Sequence, residues 1–270
     1  MRELLTEIYR RNRVLAVAGW LHLALLLVMF FISLFDARTV LGLNTWTKAS
    51  KFAVSITLYL WTLAWLIKYL RIPRWLFQII SWGPALVMIG ESVCLVIQAA
   101  RGTRSHFNLT SAFDGSVFGM MGFLILLNTI LALLITILFF TRAEKLPPAY
   151  IWGIRLGLLF FLFAAYEGML MITNGAHTIG LADGGPGLPM VNWSTKAGDL
   201  RIAHLLGLHA LQVLPVAGYL ISSWKEKLSQ SRQIAYIFAF ALIYTGVTAL
   251  LFWQAMRGRP IIALGLIGIG

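Results

Sequence analysis

Acidic side chains are scarce in this chain: ten aspartates and glutamates face 22 lysines and arginines across 270 residues, and charged residues of both signs make up only 12%. With 59% of the residues hydrophobic and a mean hydropathy of +0.82, a soluble globule would have too little polar surface to cover itself. The composition therefore reads as an integral membrane protein whose first partner is the lipid bilayer. Cysteine is scarcer still. Cys94 is the only one and sits in an apolar run, which excludes an intrachain disulfide and any cysteine-type metal site. A Walker loop and a G-x-S-x-G elbow are missing too, so nucleotide hydrolysis and α/β-hydrolase chemistry have no support. No lysine lies midway along the last apolar run, which removes retinal bound in the usual rhodopsin manner. The net charge of +12 would invite a nucleic-acid partner in a soluble protein. Here the basic residues fall between hydrophobic runs, where they set orientation, and no nucleic-acid partner is expected.

Crossing about 30 Å of hydrocarbon takes about 20 mainly apolar residues. Seven stretches qualify, at roughly 14–35, 52–70, 75–100, 117–141, 150–172, 202–222 and 233–255. The first follows the basic segment MRELLTEIYRRNR, but it is too long for a signal peptide and lacks a small-x-small site before Asp36. The tail after Pro260 is too short to cross. Expected, then, is an all-α, polytopic fold over residues 1–270: one bundle of seven transmembrane helices in a cell inner or plasma membrane. Alternate connections give one side Arg2, Arg10, Arg11, Arg13, Lys68, Arg71, Arg74, Arg142, Lys145, Arg155, Lys225, Lys227 and Arg232, thirteen of the 22 basic residues. That excess places the N-terminus in the cytoplasm and the C-terminus outside. The longest connection, an outer loop at 173–201, contains DGGPGLP from Asp183 to Pro189. Those glycines and prolines demand particular backbone angles, and Trp193 argues for ordered packing over the outer mouth.

The chemistry gathers at that outer side. His106, His177, His204 and His209 fall at or near outer span ends, with Asp114, Asp183 and Asp199, while Glu91 and Glu167 lie within the hydrophobic lengths of spans 3 and 5. Ionisable groups inside a bilayer are costly and face a partner or a watery cavity. Lys48, Lys51, Ser55 and Thr62 follow helical spacing and form a polar stripe on span 2 if helix begins before Lys48, with Lys51 either snorkelling outward or turning toward Glu91 or Glu167. The order Glu91, His106, Asp114-Gly115 is echoed by Glu167, His177, Asp183-Gly184, which hints that spans 3–4 and 5–6 are related units. His204 and His209, five apart, do not share a helix face, whereas His209 and Gln212 do, and that pair is expected to point into the bundle. Asn128, midway along span 4, is placed to bond across helices.

These residues support an outward-facing pocket in which Glu91, Glu167 and His209 do the chemistry and His106, His177, His204 and His209 are candidate ligands for a divalent metal. Lys48, Lys51, Arg101, Asp199, Arg201 and Gln212 would bind substrate. The leading expectation is a metal-dependent enzyme acting on a lipid or small amphiphile. One alternative is a small proton- or ion-coupled transporter, against which stand the almost wholly apolar inner halves of spans 3 to 7. Another is a haem protein using His22 and His209, whose computed depths differ by about 8 Å. The last is a structural subunit, in which Glu91 and Glu167 would each pair with Lys or Arg.

Overall fold

Apolar runs become helices here, some opened by a capping side chain and some by a proline, and little else forms. The computed structural model describes residues 2–224 and 228–261, so expectations for Lys225, Lys227 and the tail beyond Ile261 lie outside the described residues. Seven helices are long and apolar enough to cross a membrane: α2 (Arg13–Ser33), α3 (Thr47–Leu66, continued by a 3₁₀ turn Ile67–Tyr69), α4 (Arg74–Ala100), α5 (Ala112–Thr141), α6 (Pro148–Asn174), α7 (Leu200–Ser223) and α8 (Gln230–Met256). A short amphipathic helix, α1 (Arg2–Arg11), precedes them. Two strand pairs, β1 (Thr39–Val40) with β2 (Leu43–Asn44) and β3 (Thr178–Ile179) with β4 (Gly198–Asp199), are antiparallel.

Several helices start earlier than hydropathy alone marks them. α3 begins at Thr47 rather than 52, and α5 begins at Ala112 rather than 117. The extra turn of α5 is polar and is fixed by a reciprocal cap, with Ser111 Oγ accepting from Asp114 N and donating to the Asp114 carboxylate at 2.6 Å. Large apolar side chains such as Leu27, Phe30, Phe31, Leu242 and Ile243 are more than 60% exposed, which is compatible with helices long and apolar enough to cross a membrane.

The chain divides into two compact units, Met1–Glu144 and Lys145–Gly270. Within the first, α2 packs most closely on α3, and Gly19 admits the Trp61 ring, whose Nε1 donates to Ala16 O at 3.2 Å. Asn128 does bond across helices: Tyr59 Oη donates to its Oδ1 at 2.9 Å and joins α3 to α5. Cys94 is buried among Met29, Trp46, Ala49 and Met121. In the second unit α6 and α7 are pressed backbone to backbone. A Cβ at Gly157 would stand 2.8 Å from Ala210 O and 3.2 Å from the Pro215 ring, and one at Gly218 would collide with the Ala149 carbonyl. Small residues take the place that bulky hydrophobes hold in soluble bundles, because lipid is as apolar as leucine and close van der Waals contact is what joins membrane helices.

Candidate functional site

In the first unit a line of buried polar groups follows one face of α4. Ser81, Met88, Glu91, Leu95 and Gln98 recur at helical spacing and are all buried. Ser81 to Gln98 covers about 25 Å of helix rise, close to the thickness of a bilayer core. At the Ser81 end, Asn12 caps α2 through Leu15 N and donates to Ser81 Oγ at 2.7 Å. About two turns further along α4, His22 lies with Nδ1 2.7 Å from Ala18 O and Nε2 3.3 Å from Met88 O. Carbonyls only accept, so a neutral imidazole satisfies one of them and a second proton is needed to satisfy both. At the far end Gln98 Nε2 donates to Asp114 Oδ1 at 2.9 Å, and Arg101 forms an ion pair with the same carboxylate.

Glu91 lies between these ends. It is 1% exposed, and neither of its carboxylate oxygens has a hydrogen-bond partner among the described residues. Lys48 is the cation whose charge reaches it, without forming a bond to it. The expected stripe of α3 is off the buried face: Lys51 is exposed, and the buried polar groups of this helix are Thr57 and Tyr59.

The second unit holds Glu167, also 1% exposed and with neither oxygen partnered among the described residues. His204 donates from Nδ1 to Ala164 O at 2.8 Å. His209 Nδ1 bonds Gln212 Oε1 at 3.1 Å, so these two do share a face. Both are only half-buried, beside the face formed by Ala203, Gly207, Ala210, Leu211, Leu214 and Gly218. The small residues that draw α6 close occupy the interior position expected for His209.

The long connection is ordered by its own hydrogen bonds. Leu188 N donates to Trp193 O and Asn192 N to Leu188 O, both at 2.8 Å, and Leu188 and Trp193 pack on Ile202, Ala203 and Leu251. Asp183 accepts from His177 Nδ1 and N and from the Thr178 hydroxyl. Burial opposes its charge, but those donors outweigh burial and hold the carboxyl well below the usual carboxylate range. A depressed folded-state value stabilises the loop above the unfolded aspartate value of about 3.9, and that contribution is lost as pH falls below it. Amide exchange at Thr178, whose N–H donates to Asp183 at 3.2 Å, is expected to lose protection selectively as pH is lowered from about 5 toward 2, and to be pH-insensitive after correction for intrinsic rates in Asp183→Asn.

One local device recurs in both units and was not anticipated as a pair. Asp36 accepts from Arg38 N, Nε and Nη2, and Asp199 accepts from Arg201 N, Nε and Nη2 in the same arrangement. Each aspartate takes one further donor, Trp46 Nε1 or Ser194 N, and each arginine reaches one carbonyl, Ala100 O or Asn192 O. The Asp-x-Arg spacing is the only sequence signal for this clasp. In the first unit it sits beside the β1–β2 hairpin, whose two-residue turn holds both Leu41 (φ 51°) and Gly42 (φ 80°) in the left-handed region.

Several expectations need correction. Arg101 and Arg201, read as attractors of an anionic substrate, are committed to Asp114 and Asp199. The histidines do not assemble a metal shell: His106 is bonded to Ser105 and packed among Phe52, Phe107 and Phe118, His177 is held by Asp183, and among the described residues no three His, Cys, Asp or Glu side chains come together as a site for an ion. His22 faces carbonyls with both ring nitrogens, which leaves none directed to a haem iron. The echo between His106–Asp114 and His177–Asp183 does not extend to geometry, since Asp114 bonds the Ser111 cap of α5, Gln98 and Arg101 while Asp183 bonds its histidine. No family model, curated protein or solved structure matches this chain.

Proposed function

We propose that this is a multi-pass protein of a cell inner or plasma membrane that moves protons as a small proton-coupled transporter, with Glu91 as the proton-binding group of the first unit. The observation that carries this reading is a carboxyl group 1% exposed and without a hydrogen bond among the described residues, set between buried polar groups that extend along α4 from Ser81 to Gln98. An unpartnered carboxylate in a low-dielectric medium is costly by several kcal/mol, so such a group binds a proton or a cation and its occupancy can change. Buried polar groups on both sides of Glu91 supply what a path requires: His22 and Ser81 toward one end, Gln98 and Asp114 toward the other. With the N-terminus in the cytoplasm, the His22 and Asn12 end faces inward and the Lys48 and Arg101 end faces out. The structural-subunit reading required Glu91 and Glu167 to be locked by Lys or Arg, and among the described residues neither carboxylate is in an ion pair or a hydrogen bond.

The test is proton flux into vesicles reconstituted with the full chain, driven by a potassium diffusion potential and read by an entrapped pH-sensitive dye. Wild-type protein is expected to exceed protein-free vesicles, and Glu91→Gln, which keeps the shape but cannot release a proton, is expected to lower the protein-dependent rate about tenfold or more. A wild-type rate equal to that of empty vesicles, or a Glu91→Gln rate equal to wild type, overturns the proposal.

A further inference from the structure

The second unit contains a titratable arrangement that the path through the first does not use. Where α6 and α7 press together, each helix sets a glycine opposite the ionisable group of the other. Gly207 of α7 lies against Ala164, and Glu167 Oε2 is 3.7 Å from where a Cβ at 207 would stand. Gly168 of α6 lies against His204, with ring Cε1 3.2 Å and Nε2 3.8 Å from where a Cβ at 168 would stand. The two glycines thus leave room for one carboxyl and one imidazole in a single turn of the helix pair. The tautomer of His204 is fixed by its neighbour. Ala164 O can only accept, so Nδ1 carries the proton at 2.8 Å, and Nε2 of the neutral ring presents a lone pair. Glu167, one turn along α6 from Ala164, has neither oxygen partnered among the described residues.

We propose that Glu167 and His204 form a proton-exchange pair, a second protonation site inside the second unit and independent of Glu91. In the transfer the Glu167 carboxyl O–H bond breaks, its electron pair stays on the carboxylate, and the Nε2 lone pair takes the proton. The products are a carboxylate and an imidazolium, with the Nδ1–H bond to Ala164 kept throughout. Net charge over the pair does not change, so the step adds no net charge to the low-dielectric interior. The two groups share no hydrogen bond in this structure, so the transfer requires the Glu167 side chain to rotate toward Nε2.

Few other titratable groups face the pair. His177, from the connection between α6 and α7, is the group whose charge reaches His204. From α8 the Tyr244 hydroxyl is committed to Leu206 O at 2.6 Å. On α7 itself Arg201 is held by Asp199, and His209 is bonded to Gln212.

An infrared titration of the purified full chain, with hydrogen–deuterium exchange to mark carboxyl bands, tests the pair. A protonated-carboxyl band is expected that disappears in Glu167→Gln, persists in Glu91→Gln, and shifts its midpoint by about one pH unit or more in His204→Gln, whose amide can still donate to Ala164 O. In ¹⁵N-histidine-labelled wild-type protein the His204 Nε2 resonance is expected to move with the same midpoint. An absent Glu167 band at every pH, or a midpoint indifferent to His204→Gln, overturns the proposal. Should His204→Gln fail to fold, the labelled Glu167→Gln protein decides: a His204 titration unchanged from wild type overturns the pair. Loss of vesicle flux in Glu91→Gln bears on the first unit alone, so the two proposals fail separately.

Discussion

Replacing Glu91 with leucine is expected to make the protein more stable and to abolish its proton flux. The side chain is fully enclosed, and both carboxyl oxygens lack partners. A buried polar group left unsatisfied costs about 1–3 kcal/mol, and leucine has similar bulk with nothing to satisfy. Removing that penalty while filling the same space predicts a gain of about 1–3 kcal/mol in thermal denaturation in detergent, together with flux no higher than in empty vesicles. Glu91→Gln should lose flux without the gain, because an amide also buries unpaired polar atoms. The two variants together separate a group kept for function from one kept for packing. A leucine variant less stable than wild type would mean that Glu91 holds a structural partner, and the proton reading would fall with it. Trading stability for a strained or unsatisfied functional group is common in proteins.

Much of this molecule was legible in its amino-acid order, and the illegible parts share a cause. Hydropathy located all seven long helices because each is apolar enough over its length to cross a membrane. It misplaced the starts of α3 and α5, where the first turn is polar and, in α5, capped by Ser111. Glu91 and Glu167 stood out as the acids inside hydrophobic lengths, and both are buried as that placement requires. The line along α4 did not stand out. Its polar groups toward the Asn12 end come from three elements, Asn12 before α2, His22 in α2 and Ser81 in α4, so spans read one at a time looked apolar there. Charge counting assigned Arg101 and Arg201 to a ligand because sequence shows a charge and not what answers it. In the fold Asp114, thirteen residues on, and Asp199, two residues back, answer them.

Asp199→Ala is expected to cost about 3 kcal/mol, a far larger loss than Asp36→Ala at the equivalent clasp. Asp199 has no exposed side-chain surface, whereas Asp36 is partly open and its arginine is half exposed. One carboxylate at Asp199 caps α7 through Arg201 N, accepts Ser194 N at 2.8 Å, and binds the Arg201 guanidinium. Alanine would leave a half-buried arginine and two backbone donors unanswered at once, and would release β4 from the residues that precede it. Asp199→Asn should recover part of the loss, since its amide oxygen still caps the helix but no longer carries a charge for Arg201. Thermal denaturation gives the size of the effect, and amide exchange gives its place: protection should vanish first at Ser194, Leu200 and Arg201. A loss below about 0.5 kcal/mol in Asp199→Ala would show that the connection is held by Trp193 and Leu188 packing on α7 and α8, with the clasp contributing little.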